Sequence, residues 1–206
     1  MTKLRSICVY CGSSDGTDPG MRAAAEAFGR AMGEAGIALV YGGGDHGLMG
    51  AVARAVLAAG GSVTGIIPDF LRGKERMIDG DDGDERRLEM IVVEDMHTRK
   101  RMMFEQADAF VALPGGIGTL EELVEQMTWV QLDRHSKPVV IADVAGFWAP
   151  LLELIEHMRR QGFIRAASDV RYQVAGTVEE IIPAIRAAMD RAARAGAEKA
   201  SLDMPM

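Results

Sequence analysis

The sequence predicts a doubly wound α/β domain, in which a parallel sheet carries helices on both of its faces. Short, continuously apolar runs alternate along the chain with longer segments of helical periodicity. Strands buried on both faces have this composition, because helices cover both sides of a parallel sheet. Glycine clusters also stand where two of these runs end, which is where ligands bind in Rossmann-like sheets.

In the first half of the chain, β-branched and aromatic residues mark the strands, and Ala-rich periodic segments mark the helices. Asp18 is a candidate N-cap of the first helix, and Gly36 follows its predicted end. The polar, acidic segment 68–88 is predicted to be a long loop. The predicted order is strand 6–10, helix 19–34, strand 37–41, helix 47–59 and strand 62–67.

The second half of the chain repeats the alternation of strands and helices. The predicted order is strand 88–93, helix 97–107, strand 109–113, helix 119–132, strand 138–142, helix 147–161, strand 170–174 and helix 178–194. We expect residues 1–195 to form a single α/β domain and residues 196–206 to be a frayed tail.

Composition limits the function classes. The chain has 206 residues, 30 acidic and 23 basic side chains, a net charge of −7 and 48% hydrophobic residues. These values exclude a wholly disordered chain and argue against binding to nucleic acid or an anionic membrane, which requires a basic face. No segment approaches the roughly 18 apolar residues of a membrane helix, and the N-terminal apolar run is too short for a signal peptide. We therefore expect a cytoplasmic protein.

The residues that commonly bind metals lack the necessary spacing. Cys8 and Cys11 form a C-x-x-C pattern, but Cys8 falls inside a predicted strand and no second pair completes a zinc site. The histidines show no metal-ligand spacing, and the acidic run 79–84 departs from the pattern of a calcium loop. The sequence therefore favours neither a metal site nor a redox site.

The most informative motif covers residues 113–122, Leu-Pro-Gly-Gly-Ile-Gly-Thr-Leu-Glu-Glu. A predicted strand ends there, glycines allow close approach of the backbone, and a helix starts at about Thr119. Free N–H groups and the positive end of the helix dipole favour a phosphate at such a position. The alternative is a tight turn in which Glu121 and Glu122 only complement the dipole. The Lys-Ser/Thr ending of a P-loop is absent.

A second glycine cluster, residues 42–47, also joins a strand to a helix. It satisfies G-x-G-x-x-G, and Asp69 follows near the distance expected of a ribose-binding acid. The cluster follows the second predicted strand rather than the first. A structural turn, or one wall of a mononucleotide site that includes Gly43 and Gly44, is therefore favoured over a dinucleotide site.

A basic segment, residues 95–101, opens a helix after a predicted strand. Basic residues at a helix N-terminus oppose the helix dipole, which favours a functional explanation. Arg99 could hold a phosphate or carboxylate through two parallel hydrogen bonds, and Lys100 could add a point charge. The alternative is a solvated basic face.

Together, segments 39–50, 96–100 and 114–122 resemble the LOG ("Lonely Guy") family of cytokinin riboside 5′-monophosphate phosphoribohydrolases, and the opening segment 8–14 fits as well. The resemblance extends from about Ile7 to Ile185. It implies hydrolysis of the N-glycosidic bond of a purine nucleoside 5′-monophosphate, either AMP or an N6-modified relative, without a cofactor. It also implies a homodimer or larger homo-oligomer, with the helix around Trp129 in the core or at the subunit contact.

The resemblance further implies roles for individual residues. Arg99 and Glu122 correspond to the catalytic pair of the family. A carboxylate suits this chemistry because departure of the base creates positive charge at the ribose C1′. Together with the glycine loops, the expected substrate-binding positions are Glu75, Lys100, Gly115, Gly116, Ile117, Gly118, Thr119, Leu120, Glu121, Thr128, Gly43 and Gly44.

Other functions compete with the hydrolase. Related folds carry molybdenum cofactor on similar phosphate loops, but a carrier has no need of the Glu122 carboxylate. Lysine decarboxylation would require a lysine in a Schiff-base context, for which Lys100 in a basic helix start is a poor candidate. A nicotinamide-dependent enzyme is disfavoured by the weak dinucleotide pattern.

Overall fold

The computed structural model describes residues 3–72, 87–165 and 170–202. The strands of this part of the chain are β1 (Ser6–Tyr10), β2 (Ala38–Tyr41), β3 (Val63–Pro68), β4 (Leu88–Val93), β5 (Ala109–Ala112), β6 (Val139–Ala142) and β7 (Gln173–Ala175). Its helices are α1 (Pro19–Glu34), α2 (Gly47–Ala58), α3 (Met96–Gln106), α4 (Ile117–Gln131), α5 (Ala149–Arg160) and α6 (Val178–Leu202). Short 3₁₀ turns cover Asp69–Leu71 and Val144–Gly146.

The strands form one parallel sheet in the order β4-β3-β2-β1-β5-β6-β7. The strand order reverses at β1, which pairs with β2 on one side and with β5 on the other. Ile7 lies opposite Leu39 in the first pair and opposite Ala109 in the second. The carboxyl ends of β1 and β5 therefore flank the switch point, where a crevice forms in sheets of this kind.

Side chains of the central strand alternate between two apolar layers. Ile7 and Val9 pack with buried residues of α1, α2 and α6. Cys8 and Tyr10 pack on the opposite face with residues of α3, α4 and α5. This alternation explains the continuously apolar strands, since each face of the sheet is covered by helices.

The structure confirms the doubly wound fold and shifts several element ends. The helix α4 begins at Ile117 instead of Thr119, because the chain turns into the helix directly after Gly116. The last strand, β7, starts later than predicted, and α5 follows a 3₁₀ turn. The helix α6 continues to Leu202, beyond the predicted end at 194 and into the segment expected to be frayed, and Ala-rich sequence accounts for this. No helix in the described ranges is long and apolar enough to span a membrane.

Candidate functional site

Three loops meet at the carboxyl ends of β1, β2 and β5. The N–H of Gly12, after β1, donates to the carbonyl of Pro114, after β5, at 3.0 Å. The carbonyl of Gly12 accepts from the N–H of Met49 at the start of α2, at 3.3 Å. The loop after β1 therefore links the two glycine clusters, which lie far apart in the sequence.

The N-terminus of α4 faces this junction. Gly116 is its N-cap residue, and no side chain caps the helix, so the first backbone N–H groups are left for another acceptor. A Cβ at Gly115 would overlap Thr119 Oγ1, and Thr119 is itself buried. At Gly116 and Gly118, in contrast, a Cβ would meet nothing within 4 Å. This geometry suits an anion at the exposed helix end.

A cavity of about 220 Å³ opens next to the same helix end. Its lining comes from the loops after β1 and β5, from the helices α1 and α2, and from the loop before α5. The lining residues are Gly12, Ser14, Asp15, Gly16, Met21, Leu48, Pro114, Gly115, Gly116 and Phe147. The sequence motifs did not predict that the loop after β1 belongs to the site. The position of this loop in the sheet could have indicated its role, because β1, the strand before it, borders the switch point.

Arg99 projects from α3 into the protein and is 9% exposed. Its Nη2 donates to the carbonyl of Gly42 at 3.3 Å, and its Nη1 lies 3.6 Å from Met96 Sδ. Within the described ranges, Nε has no hydrogen-bond partner. A Cβ at Gly42 would overlap Nη2, so this glycine is required for the position of the guanidinium. The first glycine cluster thus holds Arg99 in place.

The helix that carries Arg99 begins with a strong cap. The carboxylate of Asp95 accepts from the backbone N–H of Thr98 at 2.7 Å, and this hydrogen bond lowers the pKa of Asp95. The cap satisfies a free N–H group and places negative charge at the helix N-terminus. It therefore offsets the unfavourable basic residues in the first turns of α3.

Glu122 is half-buried on α4 and lies close to the end of β1. Its charge contributes to raising the pKa of Cys8 and Tyr10, although burial is the larger cause for both. Burial also raises the pKa of Glu122 itself to about 7, and the positive charge of Arg99 opposes this rise. Within the described ranges, no group donates a hydrogen bond to its carboxylate. Glu122 can therefore exchange a proton near neutral pH.

Lys100 is engaged in ion pairs rather than free to meet a ligand. Its Nζ contacts the carboxylate of Glu121 and lies 3.4 Å from Glu125 Oε1. Burial acts to lower the pKa of Lys100, but the two carboxylates outweigh it and raise the pKa. The side chain therefore ties α3 to α4, the helices that carry Arg99 and Glu122.

The other residues predicted to bind substrate lie in different parts of the structure. Gly43 has a φ of +84° and packs against Ile67 and Met90, and Gly44 is buried next to it. Thr128 is exposed and donates to the carbonyl of Val124 at 2.8 Å. It lies about 16 Å along α4 from Ile117, because each helical residue rises about 1.5 Å. The structure does not bring Thr128 to the N-terminal end of its own helix.

Glu75 and the two cysteines were also considered in the sequence, and none of them contributes to the site as described. Glu75, the expected upstream glutamate, lies outside the described residues. Cys8 and Cys11 are free and buried, and burial raises the pKa of both thiols. They are therefore protonated, inert side chains of the core at neutral pH.

A family model described as "possible lysine decarboxylase" matches residues 49–185. The cytokinin riboside 5′-monophosphate phosphoribohydrolase of Rhodococcoides fascians is 43% identical over 88% of this chain and 89% of its own length. The Arabidopsis thaliana enzyme of the same name, LOG7, is 48% identical over 79% and 72% of the two chains.

Among solved structures, the molybdenum cofactor carrier protein of Chlamydomonas reinhardtii superimposes with a TM-score of 0.65. The match covers 91% of this chain and 99% of the carrier, at 21% sequence identity. This level of identity shows a shared fold alone.

Proposed function

Because the chain belongs to the LOG family of phosphoribohydrolases, we propose that it hydrolyses the N-glycosidic bond of a purine nucleoside 5′-monophosphate to the free base and ribose 5-phosphate. The observation that carries the proposal is Glu122, a half-buried carboxylate with a pKa of about 7, close to Arg99. It stands on the helix whose free N-terminus suits a phosphate.

The phosphate would bind at the start of α4. The uncapped N–H groups of Ile117 and Gly118 lie there, and the open space next to Gly116 allows a phosphate to approach the backbone. Binding the phosphate at this distance from the reacting bond would fix the position of the ribose. The substrate is an anion, so local N–H groups and Arg99 attract it despite the negative charge of the chain.

In the chemical step, the bond between C1′ and the purine nitrogen breaks and its electron pair leaves with the base. Positive charge then develops at C1′, which the ionised Glu122 carboxylate stabilises. Water adds to C1′ and gives up a proton, for which Glu122 is a suitable acceptor at neutral pH. The proton that Glu122 accepts passes to the base nitrogen, directly or through solvent, so one water molecule supplies both the hydroxyl on C1′ and the hydrogen on the base. Arg99, buried and anchored to Gly42, keeps positive charge near the carboxylate so that it can ionise.

The other candidate functions have less support. The likeness to the molybdenum cofactor carrier concerns the fold, and a carrier would not need a carboxylate that titrates near neutral pH. A pyridoxal-dependent decarboxylase would need a free lysine, whereas Lys100 is held by Glu121 and Glu125.

The assembly and location of the protein belong to the same proposal. Three apolar side chains of α4 and its C-terminal end are exposed, Ile117, Val124 and Leu132, which supports a homodimer or larger homo-oligomer through this helix. Trp129 is half-buried and packs edge-on against Phe104, 5.1 Å between ring centroids. The two free cysteines and a nucleotide substrate support a cytoplasmic location.

The direct experiment is to incubate the protein with AMP and with its N6-isopentenyl analogue and to separate free base from nucleotide. We expect base release without a cofactor, and the ratio of the two rates identifies the preferred substrate.

Glu122→Gln should lower kcat about a thousandfold, because the neutral amide neither accepts a proton nor stabilises positive charge. The matched control is Glu156→Gln on the outer face of α5, which should leave kcat unchanged. Normal turnover by Glu122→Gln would refute the catalytic assignment.

A further inference from the structure

A recess lies at the amino-terminal edge of the sheet, at the opposite ends of the strands from the proposed active site. It consists of two adjoining cavities of about 290 and 230 Å³. Both are lined by Ser136, Lys137 and Pro138, directly before β6, and by Ala192 on α6. Cavities of this size hold small molecules rather than single waters.

Lys137 brings a positive charge to both cavities. Its Nζ donates to the carbonyl of Phe104 at 2.6 Å and lies 4.1 Å from the centre of the Phe104 ring. In the described ranges, no carboxylate lies within ion-pairing distance of this ammonium. Burial lowers the pKa of Lys137, which the more distant carboxylates of Asp108 and Glu105 partly oppose. The lysine is thus a half-buried cation that lacks a close counter-ion.

The other charged groups of the recess leave a surplus of positive charge. Asp108 accepts hydrogen bonds from the backbone N–H groups of Arg5 and Ser6, at 2.8 and 3.3 Å. Arg171 pairs with Asp133 at 3.0 Å. Arg191 donates to the amide oxygen of Gln173 at 2.7 Å, and the described residues provide it with no carboxylate partner. A local cluster of cations is unusual in a chain whose net charge is −7.

The rest of the lining is apolar. Met189, Ala192 and Ala193 of α6 line one cavity, and Val130 and Val139 line the other. Small alanine side chains along α6 leave the space that the cavities occupy. A ligand that combines an apolar body with an anionic group would bury the body against α6 and supply the missing counter-ion.

We propose that this recess binds a small amphipathic carboxylate, with Lys137 and Arg191 meeting the carboxylate and the apolar face of α6 covering the body. The site is separate from the N-terminus of α4, so binding does not depend on the hydrolase reaction. A bulky anion such as a nucleotide is less suited, because the apolar lining of α6 offers few partners for its sugar hydroxyls.

The test uses 4-phenylbutyrate as a probe and the neutral alcohol 4-phenylbutanol as its matched comparison. Titration into the full chain labelled with ¹³C-methyl methionine should shift the Met189 signal, which is assigned by its loss in Met189→Leu. We expect saturable binding with a Kd on the order of 1 mM, typical of a ligand of this size. The alcohol should bind about tenfold more weakly, because it cannot form a charge-assisted hydrogen bond.

The variant Lys137→Met keeps the apolar stem over Phe104 and removes the charge, and it should weaken phenylbutyrate binding about tenfold. Arg72→Gln, an exposed residue that follows the carboxyl end of β3 and so lies at the opposite edge of the sheet, should leave the Kd unchanged. Arg191→Gln provides a second test on an exposed residue if Lys137→Met does not fold, and it should weaken binding about threefold. Absence of a saturable Met189 shift, equal affinity for acid and alcohol, or an unchanged Kd in both charge variants would overturn the proposal.

Discussion

The two glycine-rich loops at the switch point differ in what surrounds their glycines. In the first loop, residues 42–47, a Cβ at Gly42 would overlap Arg99 Nη2, and one at Gly47 would overlap the backbone of Ser13 and Ser14. In the second loop, a Cβ at Gly116 or Gly118 would meet only open space. Gly42 and Gly47 of the first loop are in close contact with protein, whereas Gly116 and Gly118 of the second face space that a ligand can occupy.

This difference shows that similar sequence patterns have different physical causes. Glycines of the first loop allow protein groups to approach the backbone, and one of those groups is the predicted catalytic arginine. Gly116 and Gly118 of the second loop keep backbone N–H groups accessible at a helix N-terminus, whereas Gly115 lies against Thr119. Substitutions in the first loop should therefore destabilise the fold. Substitutions at the open positions of the second loop should weaken substrate binding without loss of stability.

The largest expected effect is on folding in the first loop. Gly47→Ala should lower the free energy of unfolding by about 3 kcal/mol, because Gly47 has a φ of +59° and its Cβ would overlap backbone atoms that cannot move freely. Urea unfolding followed by circular dichroism measures this change. Gly116→Ala is the matched substitution in the second loop and should lower the free energy by no more than about 1 kcal/mol, since alanine is a poorer N-cap than glycine but meets no other group. Equal losses in the two variants would contradict the distinction between the loops.

The second largest expected effect is a loss of activity when Arg99 is displaced. Gly42→Ala should lower kcat/KM for AMP about a hundredfold, because the new methyl group displaces the guanidinium that neighbours Glu122. The measurement is base release under single-turnover and steady-state conditions. Gly176→Ala, at an open position before α6, is a matched control and should keep full activity. Full activity of folded Gly42→Ala would mean that Arg99 does not depend on this glycine.

The strands and most helix bounds could be predicted because their causes are local. Continuous apolar runs and Asp18 as an N-cap specify β1 and α1, and the structure reproduces both at the predicted residues. The end of α6 was less predictable, since Gly196, a residue type that commonly follows a helix end, lies inside this helix. Helix ends generally depend on weak preferences.

The site was only partly predictable, because its contacts join residues far apart in the chain. Sequence motifs identified Arg99 and Glu122 but could not show that Gly42, at the end of β2, supports Arg99 on α3. They also favoured Lys100 as a free charge, whereas its neighbours on α4 hold it in ion pairs. Side-chain partners of this kind depend on helix packing, which a single sequence does not specify.

Glu122, which follows the second loop on α4, should make the stability of the protein depend on pH. Glu122 has its pKa raised from the usual 4.5 to about 7, so the native state binds more protons than the unfolded state between these pH values. Stability should therefore fall as pH rises from about 4.5 to 7. At pH 8, Glu122→Gln should be more stable than the unsubstituted chain by about 2 kcal/mol, allowing for partial solvent contact. At pH 4 the two should be equal, and a constant difference across this range would contradict the raised pKa.

The smallest effect tests the second loop directly. Gly118→Ala should raise the KM for AMP about tenfold, because a methyl group would enter the open space that the phosphate is proposed to occupy. The same substitution should increase the free energy of unfolding by about 0.5–1 kcal/mol, since alanine is the better helix former at this exposed position of α4. A higher KM combined with unchanged or greater stability would place the effect of the substitution at the ligand rather than in the fold. An unchanged KM would mean that the second loop, like the first, owes its glycines to chain packing.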